Sequence, residues 1–207
     1  MTGPSAVVEA EDLEVHYHGG PQAAVAGVSV ALAPGQGLLI GGGPSAGKTS
    51  VLRALAGLVP ARGRIRLSGG PPEPPRAARV GYGPEGRGFA GHLTLRETVH
   101  AVAALRGGRG VAAVRDDALD RAGLSYVAGY RTRRLDDEGF RRLSLAVAIA
   151  GDPDVVMLDD PWPLPETLEE IRVARARGAV VIAASRAAAG LAPALGGRLV
   201  LVDGRPR

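Results

Sequence analysis

The residues best suited to do chemistry lie in the glycine-rich segment 42–50, GGPSAGKTS, which contains the spacing GxxxxGK[ST]. In this pattern the glycines let backbone N–H groups surround phosphate oxygens, the lysine ammonium neutralises them, and the threonine hydroxyl is available to Mg²⁺. Lys48 is the only lysine among the 25 Lys and Arg residues of the chain. The segment predicts a phosphate-binding loop with the candidate ligands Gly42, Gly43, Pro44, Ser45, Ala46, Gly47, Lys48, Thr49 and Ser50.

Two carboxylates provide a second set of candidates. Asp159 and Asp160 directly follow the apolar run 155–158, which is typical of a buried strand. A phosphate-binding loop needs an acid at the end of a neighbouring strand to help hold the metal ion, and Asp159 has that place. The next residue, Asp160, is then a candidate general base facing the terminal phosphate.

Three further acids, Asp136, Asp137 and Glu138, precede a run of apolar residues at helical spacing. Acids in the first turn of a helix complement its dipole, and Asp137–Arg141 and Glu138–Arg142 have the favourable i,i+4 order. A helix N-terminus is also where proteins often bind phosphate, and carboxylates would repel it. Both interpretations, a helix cap and a weakened anion site, are compatible with the sequence.

The predicted secondary structure explains how these groups could meet. An apolar strand at 38–40 enters the glycine-rich loop, and a helix follows with apolar residues at Val51, Leu52, Leu55 and Leu58. With 207 residues and 45% hydrophobic content, the chain can form one sizeable core. We therefore expect a single α/β domain.

Composition argues against several other classes of protein. The chain has no cysteine, and its four histidines, His16, His18, His92 and His100, lack HExxH-type spacing, so a zinc enzyme is not expected. The formal charge is +4, but the arginines are dispersed and aromatic residues make up 3%, which disfavours nucleic-acid binding. No apolar run approaches the roughly 18 residues of a membrane-spanning helix, and no signal-peptide pattern opens the chain. A soluble cytoplasmic protein is expected.

Taken in order, these motifs resemble the ATP-binding subunit of an ABC transporter over nearly the whole chain. Tyr17 has the position of the adenine-stacking aromatic, and "VGYGPEGRGFAGHLTLRETV" resembles the Q-loop and the entry to the helical subdomain. The segment "LDDEGFRRLSLAVAIAGDPDVVMLDDP" is similar to the signature helix and Walker B strand, and "GAVVIAAS" and "GGRLVLVDGR" resemble the switch strand and closing hairpin. The resemblance implies one P-loop NTPase domain over 1–207 with a mixed central sheet and an N-terminal antiparallel β subdomain. The implied nucleotide core covers 1–88 and 152–207, with an inserted helical subdomain at 89–151.

The sequence departs from the family pattern at several functional positions. The Q-loop position holds Glu85, as in the branched-chain amino acid importers that this segment resembles most. The resemblance therefore makes Glu85 a candidate catalytic residue and also a candidate metal ligand beside Thr49 and Asp159. The catalytic-glutamate position holds Asp160, and the switch-histidine position, counted along the strand, holds Ser185. "PWPLPET" lacks the D-loop pattern SxLD, and the signature serine and glycines are replaced in the segment Asp136, Asp137, Glu138 and Gly139.

The resemblance implies ATP and Mg²⁺ as ligands, membrane permease subunits as partners, and a location at the inner face of the membrane. It also implies a second ATPase subunit, whose ATP would meet the three signature acids. Since they would repel that phosphate, we expect a non-identical partner and weak hydrolysis. A non-hydrolysing pseudo-enzyme is the main alternative. A GTPase fits less well because the chain has no asparagine for an NKxD motif, and nothing indicates a small-molecule kinase lid.

Overall fold

The protein is described by a computed structural model that covers residues 8–17, 23–67, 80–86, 88–106, 110–186 and 188–207. His18 and Arg87, the latter within the Q-loop segment, lie outside the described residues. The strands of this part are β1 (Val8–Val15), β2 (Val25–Leu32), β3 (Gly37–Gly42), β4 (Arg62–Leu67), β5 (Val80–Gly83), β6 (Val155–Asp159), β7 (Val180–Ala184), β8 (Gly196–Val202) and β9 (Arg205–Pro206). Its α-helices are α1 (Lys48–Leu55), α2 (Leu95–Arg106), α3 (Val111–Arg121), α4 (Asp137–Ile149), α5 (Pro165–Ala176) and α6 (Ala188–Leu195).

A six-stranded sheet of order β5-β6-β7-β3-β8-β9 forms the centre of the fold. The first five strands are parallel, and β9 pairs with β8 antiparallel as the predicted closing hairpin. Every residue of β6 and β7 is buried, as expected for parallel strands covered on both faces. Because Ile40 and Asp159 both pair with Ala184, the carboxyl ends of β3, β6 and β7 meet at one edge of the sheet. The sheet therefore brings the phosphate-binding loop and the acids together.

The smaller sheet has the order β2-β1-β4 and is antiparallel throughout. In β1, Val8, Ala10, Leu13 and Val15 are buried, and they share an apolar core with α1 and one face of the central sheet. The predicted N-terminal antiparallel subdomain and the mixed central sheet are both confirmed.

Helices α2, α3 and α4 lie within the segment 89–151 that we assign to a helical subdomain, and that boundary stays a prediction. The predicted helix after the phosphate-binding loop ends earlier than expected: α1 stops at Leu55, and Leu58 is 57% exposed beyond it. The physical reason is Gly57, whose φ of 71° cannot continue a right-handed helix. No helix in the described ranges is both long and apolar enough to cross a membrane.

Candidate functional site

The glycine-rich loop leads from β3 into α1, and one of its backbone donors, the Ala46 N–H, is used within the loop by the Gly43 carbonyl oxygen at 3.3 Å. Gly47 is the N-cap of α1 in a left-handed conformation, makes no side-chain cap, and is followed by a first turn without an acid. A Cβ on Gly47 would lie 2.5 Å from the Ala24 carbonyl oxygen, and one on Gly42 would lie 2.5 Å from that of Leu201. Both positions need glycine because the loop packs against neighbouring backbone. The free N–H groups and the helix dipole make this end of α1 suitable for an anion.

Lys48 reaches back over this loop. Its Nζ donates to the carbonyl oxygens of Gly42 at 2.9 Å and Gly43 at 2.6 Å. Burial and then the nearby charge of Arg186 lower the pKa of the Lys48 ammonium, although the nearby acids, led by Asp160, act in the opposite direction. The ammonium is thus placed where oxygens of a bound phosphate could replace the loop carbonyls as its partners.

Thr49 and Asp159 are in direct contact at the carboxyl end of β6. Thr49 Oγ1 donates to Asp159 Oδ1 at 2.9 Å, and the Tyr82 hydroxyl donates to Asp159 Oδ2 at 3.0 Å. Burial raises the pKa of Asp159, and the hydrogen bonds from Thr49 and Tyr82 act against that shift. Mg²⁺ prefers oxygen ligands and commonly takes one or two protein ligands besides phosphates and water. The adjacent hydroxyl and carboxylate of Thr49 and Asp159 fit such an ion.

Asp160 is held by two arginines. Its Oδ2 accepts from Arg186 Nη2 at 2.8 Å and from Arg141 Nη2 at 3.0 Å. Its own N–H donates to the Ala184 carbonyl at 2.7 Å, and its φ is 51°. Burial favours a higher pKa for Asp160, but the hydrogen bonds from Arg186 and the charge of Arg141 outweigh it and leave that pKa below the usual value. The carboxylate therefore sits in an ion-pair cluster.

Around these groups lies a cleft of about 380 Å³. It brings together most of the residues predicted for the site, and its lining consists of Ala24, Pro44, Ser45, Ala46, Gly47, Lys48, Thr49, Ser50, Glu85, Asp159, Asp160, Ala184 and Arg186. Gly42 and Gly43 lie beneath it and contact Lys48 through their carbonyls. The predicted loop, the acids and Glu85 thus share one cavity.

Besides Gly42 and Gly43, the predicted site residues Tyr17 and Ser185 also lie outside this lining. Tyr17 is 43% exposed, and its hydroxyl donates to Ser50 Oγ at 3.1 Å, so it touches the loop from the side. Ser185 is 1% exposed, and the residue after it, Arg186, lines the cleft. The switch position that we assigned to Ser185 stays a prediction; in the structure Ser185 is buried beyond β7, and the next residue, Arg186, is the one that lines the cleft.

The acids before α4 lie at another place in the molecule. Asp136 is the N-cap of α4, and its Oδ1 accepts from the Gly139 N–H at 2.8 Å. Glu138 pairs with Arg142 at 2.9 Å, which confirms that predicted i,i+4 pair. Asp136, Glu138 and Gly139 line a separate cavity of about 300 Å³. Within this chain the helix-cap interpretation is therefore confirmed.

Sequence reasoning missed three residues of the site, Tyr82, Arg141 and Arg186. Arg186 could have been found, because it follows a buried parallel strand and ligands bind beyond the carboxyl ends of such strands. Tyr82 and Arg141 carry no comparable signal in the sequence. Tyr82 contacts Asp159, which is 77 residues away in the chain, and Arg141 contacts Asp160, which is 19 residues away.

Solved structures with the same fold are known. This chain superposes with a TM-score of 0.87 and 18% identity on the dimeric ATP-binding cassette MJ0796 bound to ADP and Pi, covering 97% of this chain and 96% of that one. It superposes with a TM-score of 0.82 and 21% identity on an ATP-binding subunit of an ABC transporter, covering 97% of this chain and 88% of that one. These similarities confirm the predicted fold.

Sequence comparison identifies relatives in several bacteria. The chain is 34% identical over 157 residues to the zinc import ATP-binding protein ZnuC of Roseobacter denitrificans, covering 74% of this chain and 56% of that protein. It is 36% identical over 170 residues to the Nod factor export ATP-binding protein I of Paraburkholderia xenovorans, covering 76% of this chain and 53% of that protein. It is 34% identical over 166 residues to the taurine import ATP-binding protein TauB of Mesorhizobium japonicum, covering 79% of this chain and 64% of that protein. It thus spans between about half and two thirds of the length of these relatives.

The family model described as ABC transporter matches residues 25–162, which is more than half of the chain. The matched segment begins with β2 and ends just after Asp160, so it contains the phosphate-binding loop, the acidic segment 136–139 and the two acids at the end of β6. The chain belongs to the ATP-binding proteins of the ABC transporter family.

Proposed function

We propose that this protein binds Mg·ATP in the cleft beside α1 and serves as the ATP-binding part of a transporter. The observation that carries this proposal is the Thr49–Asp159 contact of 2.9 Å, directly beside the Lys48 ammonium. A lysine, a hydroxyl and a carboxylate at the end of a glycine-rich loop are the groups that a nucleoside triphosphate with its metal ion requires.

Each group has a physical role in this proposal. The open N–H groups of the loop and the dipole of α1 bind phosphate oxygens, and Lys48 neutralises the charge of the β- and γ-phosphates. Thr49 and Asp159, with Glu85 nearby, would hold Mg²⁺, which supplies further neutralising charge when bound. Tyr17, at the side of the loop, is the candidate contact for the adenine.

The site favours nucleotide binding over fast hydrolysis. Asp160 is one methylene shorter than glutamate, and misplacement of a reacting group by about 1 Å can cost on the order of a hundredfold in rate. In addition, both Arg141 and Arg186 donate to its Oδ2. This arrangement supports a weakly hydrolysing ATPase and also favours the second candidate function, a non-hydrolysing nucleotide-binding partner of a competent ATPase.

The partners follow from the family and from the acids before α4. We infer separate membrane permease subunits, with this chain at their cytoplasmic face, and a second ATPase subunit that completes the nucleotide site. If α4 faces the partner's ATP, then Asp136, Asp137 and Glu138 would oppose its phosphates. A partner of different sequence, carrying an uncharged signature segment, would restore favourable contacts to the nucleotide held by this chain.

Lys48→Ala tests the proposed nucleotide site. Binding of a fluorescent ATP analogue with Mg²⁺ should be lost in Lys48→Ala and only partly kept in Lys48→Arg, because a planar guanidinium retains the charge but not the compact shape. Circular dichroism should show that both variants are folded. Equal affinity of Lys48→Ala and the parent protein would contradict the proposal.

Phosphate release distinguishes the two candidate functions. The purified chain should release phosphate from ATP slowly or not at all, although it binds the nucleotide. Fast release that is abolished by Asp160→Asn would show a competent enzyme and would contradict weak hydrolysis.

A further inference from the structure

Tyr82 is a residue of β5 whose hydroxyl touches the proposed metal site, although the proposed function assigns it no role. Its Oη donates to Asp159 Oδ2 at 3.0 Å, while Thr49 Oγ1 donates to the other carboxylate oxygen, Oδ1, at 2.9 Å. Asp159 is only 3% exposed, so water has little access to either oxygen. The two hydroxyls therefore supply the hydrogen bonds that a buried carboxylate needs, one on each oxygen.

The register of the central sheet brings Tyr82 within reach of Asp159. Tyr82 pairs with Met157 in the parallel ladder of β5 and β6. Since side chains alternate along a strand, Met157 and Asp159 point to the same face of β6, and Tyr82 points to that face of the sheet as well. Met157 lies in the apolar core shared with α1, and the Tyr82 ring packs against that core. A long side chain is needed to reach from β5 to the end of β6, and tyrosine adds a hydroxyl at its tip.

A second neighbour of the Tyr82 hydroxyl fixes the direction of this hydrogen bond. The Arg53 guanidinium of α1 also contacts the hydroxyl, and the contact raises the pKa of Arg53. A guanidinium can only donate, so the hydroxyl oxygen accepts from Arg53 and its single proton is left for Asp159. Thr49 and Arg53 are one turn apart on α1. The contacts thus form a ring that runs from Thr49 through Asp159 and Tyr82 to Arg53 and back to the same helix.

We propose that Tyr82 is a positioning residue for the metal site, holding Oδ2 of Asp159 so that Oδ1 faces Thr49 and the Mg²⁺ of the bound nucleotide. This inference rests on the proposed function and adds to it a residue outside the cleft lining. An ion beside Thr49 engages the carboxylate from its Oδ1 side, so the hydrogen bond from Tyr82 to Oδ2 persists when the ion is bound. Hydrogen bonds to metal ligands fix the orientation of the ligand, and their loss typically lowers metal affinity by about 10–100-fold.

The test measures how much Mg²⁺ contributes to nucleotide binding. Isothermal titration calorimetry with a non-hydrolysable ATP analogue is run with Mg²⁺ and again with EDTA, and the ratio of the two affinities gives the contribution of the metal ion. Tyr82→Phe removes only the hydroxyl and keeps the ring that packs against the core. It should bind the analogue as the parent does in EDTA, and it should lower the affinity ratio about tenfold or more.

Further variants show whether Tyr82 acts through Asp159. Asp159→Asn removes the charge of the proposed metal ligand and should lower the affinity ratio at least as far as Tyr82→Phe does. Adding Tyr82→Phe to Asp159→Asn should then have little further effect, because two changes in one hydrogen-bond network are not additive. Tyr126→Phe is the matched control, since Tyr126 is 85% exposed and lies outside the cleft lining. It should leave both affinities unchanged.

The outcomes separate this inference from the function beneath it. A lowered affinity ratio in Tyr82→Phe with unchanged binding in EDTA supports the positioning role. An unchanged ratio, an equal loss of binding with Mg²⁺ and with EDTA, or full additivity with Asp159→Asn would overturn that role while the nucleotide site stands. A parent protein with equal affinities in Mg²⁺ and EDTA would overturn the metal site and the role of Tyr82 together. A parent protein that binds the analogue in neither condition would overturn the proposed function as well.

Discussion

The N-termini of helices α1 and α4 have backbone dipoles of the same direction, but they differ in the residues that surround them. At α1 the N-cap is Gly47, without a side chain, and the first turn holds no acid. At α4 the N-cap is Asp136, whose carboxylate accepts from the Gly139 N–H, and Asp137 and Glu138 follow in the first turn. The positive end of α4 is thus already occupied by the protein's own carboxylates.

The difference shows how a short sequence change decides what a helix end can bind. An N-terminus carries unpaired N–H groups and roughly half a positive charge, which either a side chain or a ligand can satisfy. In α1 these donors stay available, and a lysine adds charge. In α4 the donors are partly used, because Asp136 accepts from the Gly139 N–H, and Asp137 and Glu138 add negative charge to the first turn. The first end is available to an anionic ligand, whereas the second stabilises its own helix.

Making α1 resemble α4 should have the largest effect. Ser45 lines the cleft and has a φ of 58°, a conformation that Asp and Asn tolerate well. Ser45→Asp should weaken Mg·ATP binding by roughly a hundredfold, since each unit-charge pair at 4 Å costs about 1–4 kcal/mol for dielectrics of 80 to 20. Ser45→Asn, which has the same size without the charge, should bind within severalfold of the parent. Similar titration curves for the two variants would show that charge at this helix end is unimportant.

Making α4 resemble α1 should have the next largest effect. The triple variant Asp136→Ser, Asp137→Gly, Glu138→Gly removes the acids that would face a partner's nucleotide. If each relieved contact contributes about 1 kcal/mol, dimerisation induced by a non-hydrolysable ATP analogue should strengthen more than about tenfold. Light scattering over a series of protein concentrations measures the dimerisation constant of the parent and of the variant. A variant that loses stability yet dimerises no better would indicate that the acids serve only their own helix.

The cap itself predicts a smaller effect on stability alone. Asp136→Ala removes the hydrogen bond to the Gly139 N–H and should destabilise the protein by about 1 kcal/mol. For a chain of this size, Tm should fall by about 2–4 °C. Asp136→Ser keeps a capping oxygen and is the control, with a Tm near that of the parent. Thermal unfolding followed by circular dichroism measures both Tm values. Equal Tm values for Asp136→Ala and Asp136→Ser would contradict a capping role of the Asp136 side chain.

The smallest effect is expected for the exposed ion pair on α4. Glu138→Gln weakens the contact with Arg142, but Arg142 keeps Glu166 at 2.7 Å. Pairs of this kind contribute about 0.3–0.5 kcal/mol, so Tm should change by less than about 2 °C and less still at high salt. Thermal unfolding in low and high salt measures this change in Tm. A decrease in Tm as large as that of Asp136→Ala would mean that Glu138 has a further structural role.

Several features were predictable because they depend on neighbours in the chain. The strand, loop and helix around Lys48, the acid at the end of β6 and the acidic start of α4 all follow from local spacing and periodicity. The Glu138–Arg142 pair is one helical turn long, and a glycine-rich turn between an apolar strand and a helix has few alternatives. The end of α1 was misjudged although its signal, Gly57, is local, because the apolar Leu58 suggested that the helix continued.

The tertiary structure alone decided which charged groups meet. Arg141 is four residues from Asp137 in the sequence, yet one of its guanidinium nitrogens donates to Asp160 on another element. Likewise, Arg186 and not Ser185 lines the cleft, since the side chain that faces it depends on how the chain leaves β7. Sequence by itself determined the local geometry of the phosphate-binding loop and of the helix caps, because these arise from residues within a few positions of one another. The ion-pair cluster around Asp160 required the packed sheet, because Coulomb energy depends on distance in space, and packing brings β6, β7 and α4 together.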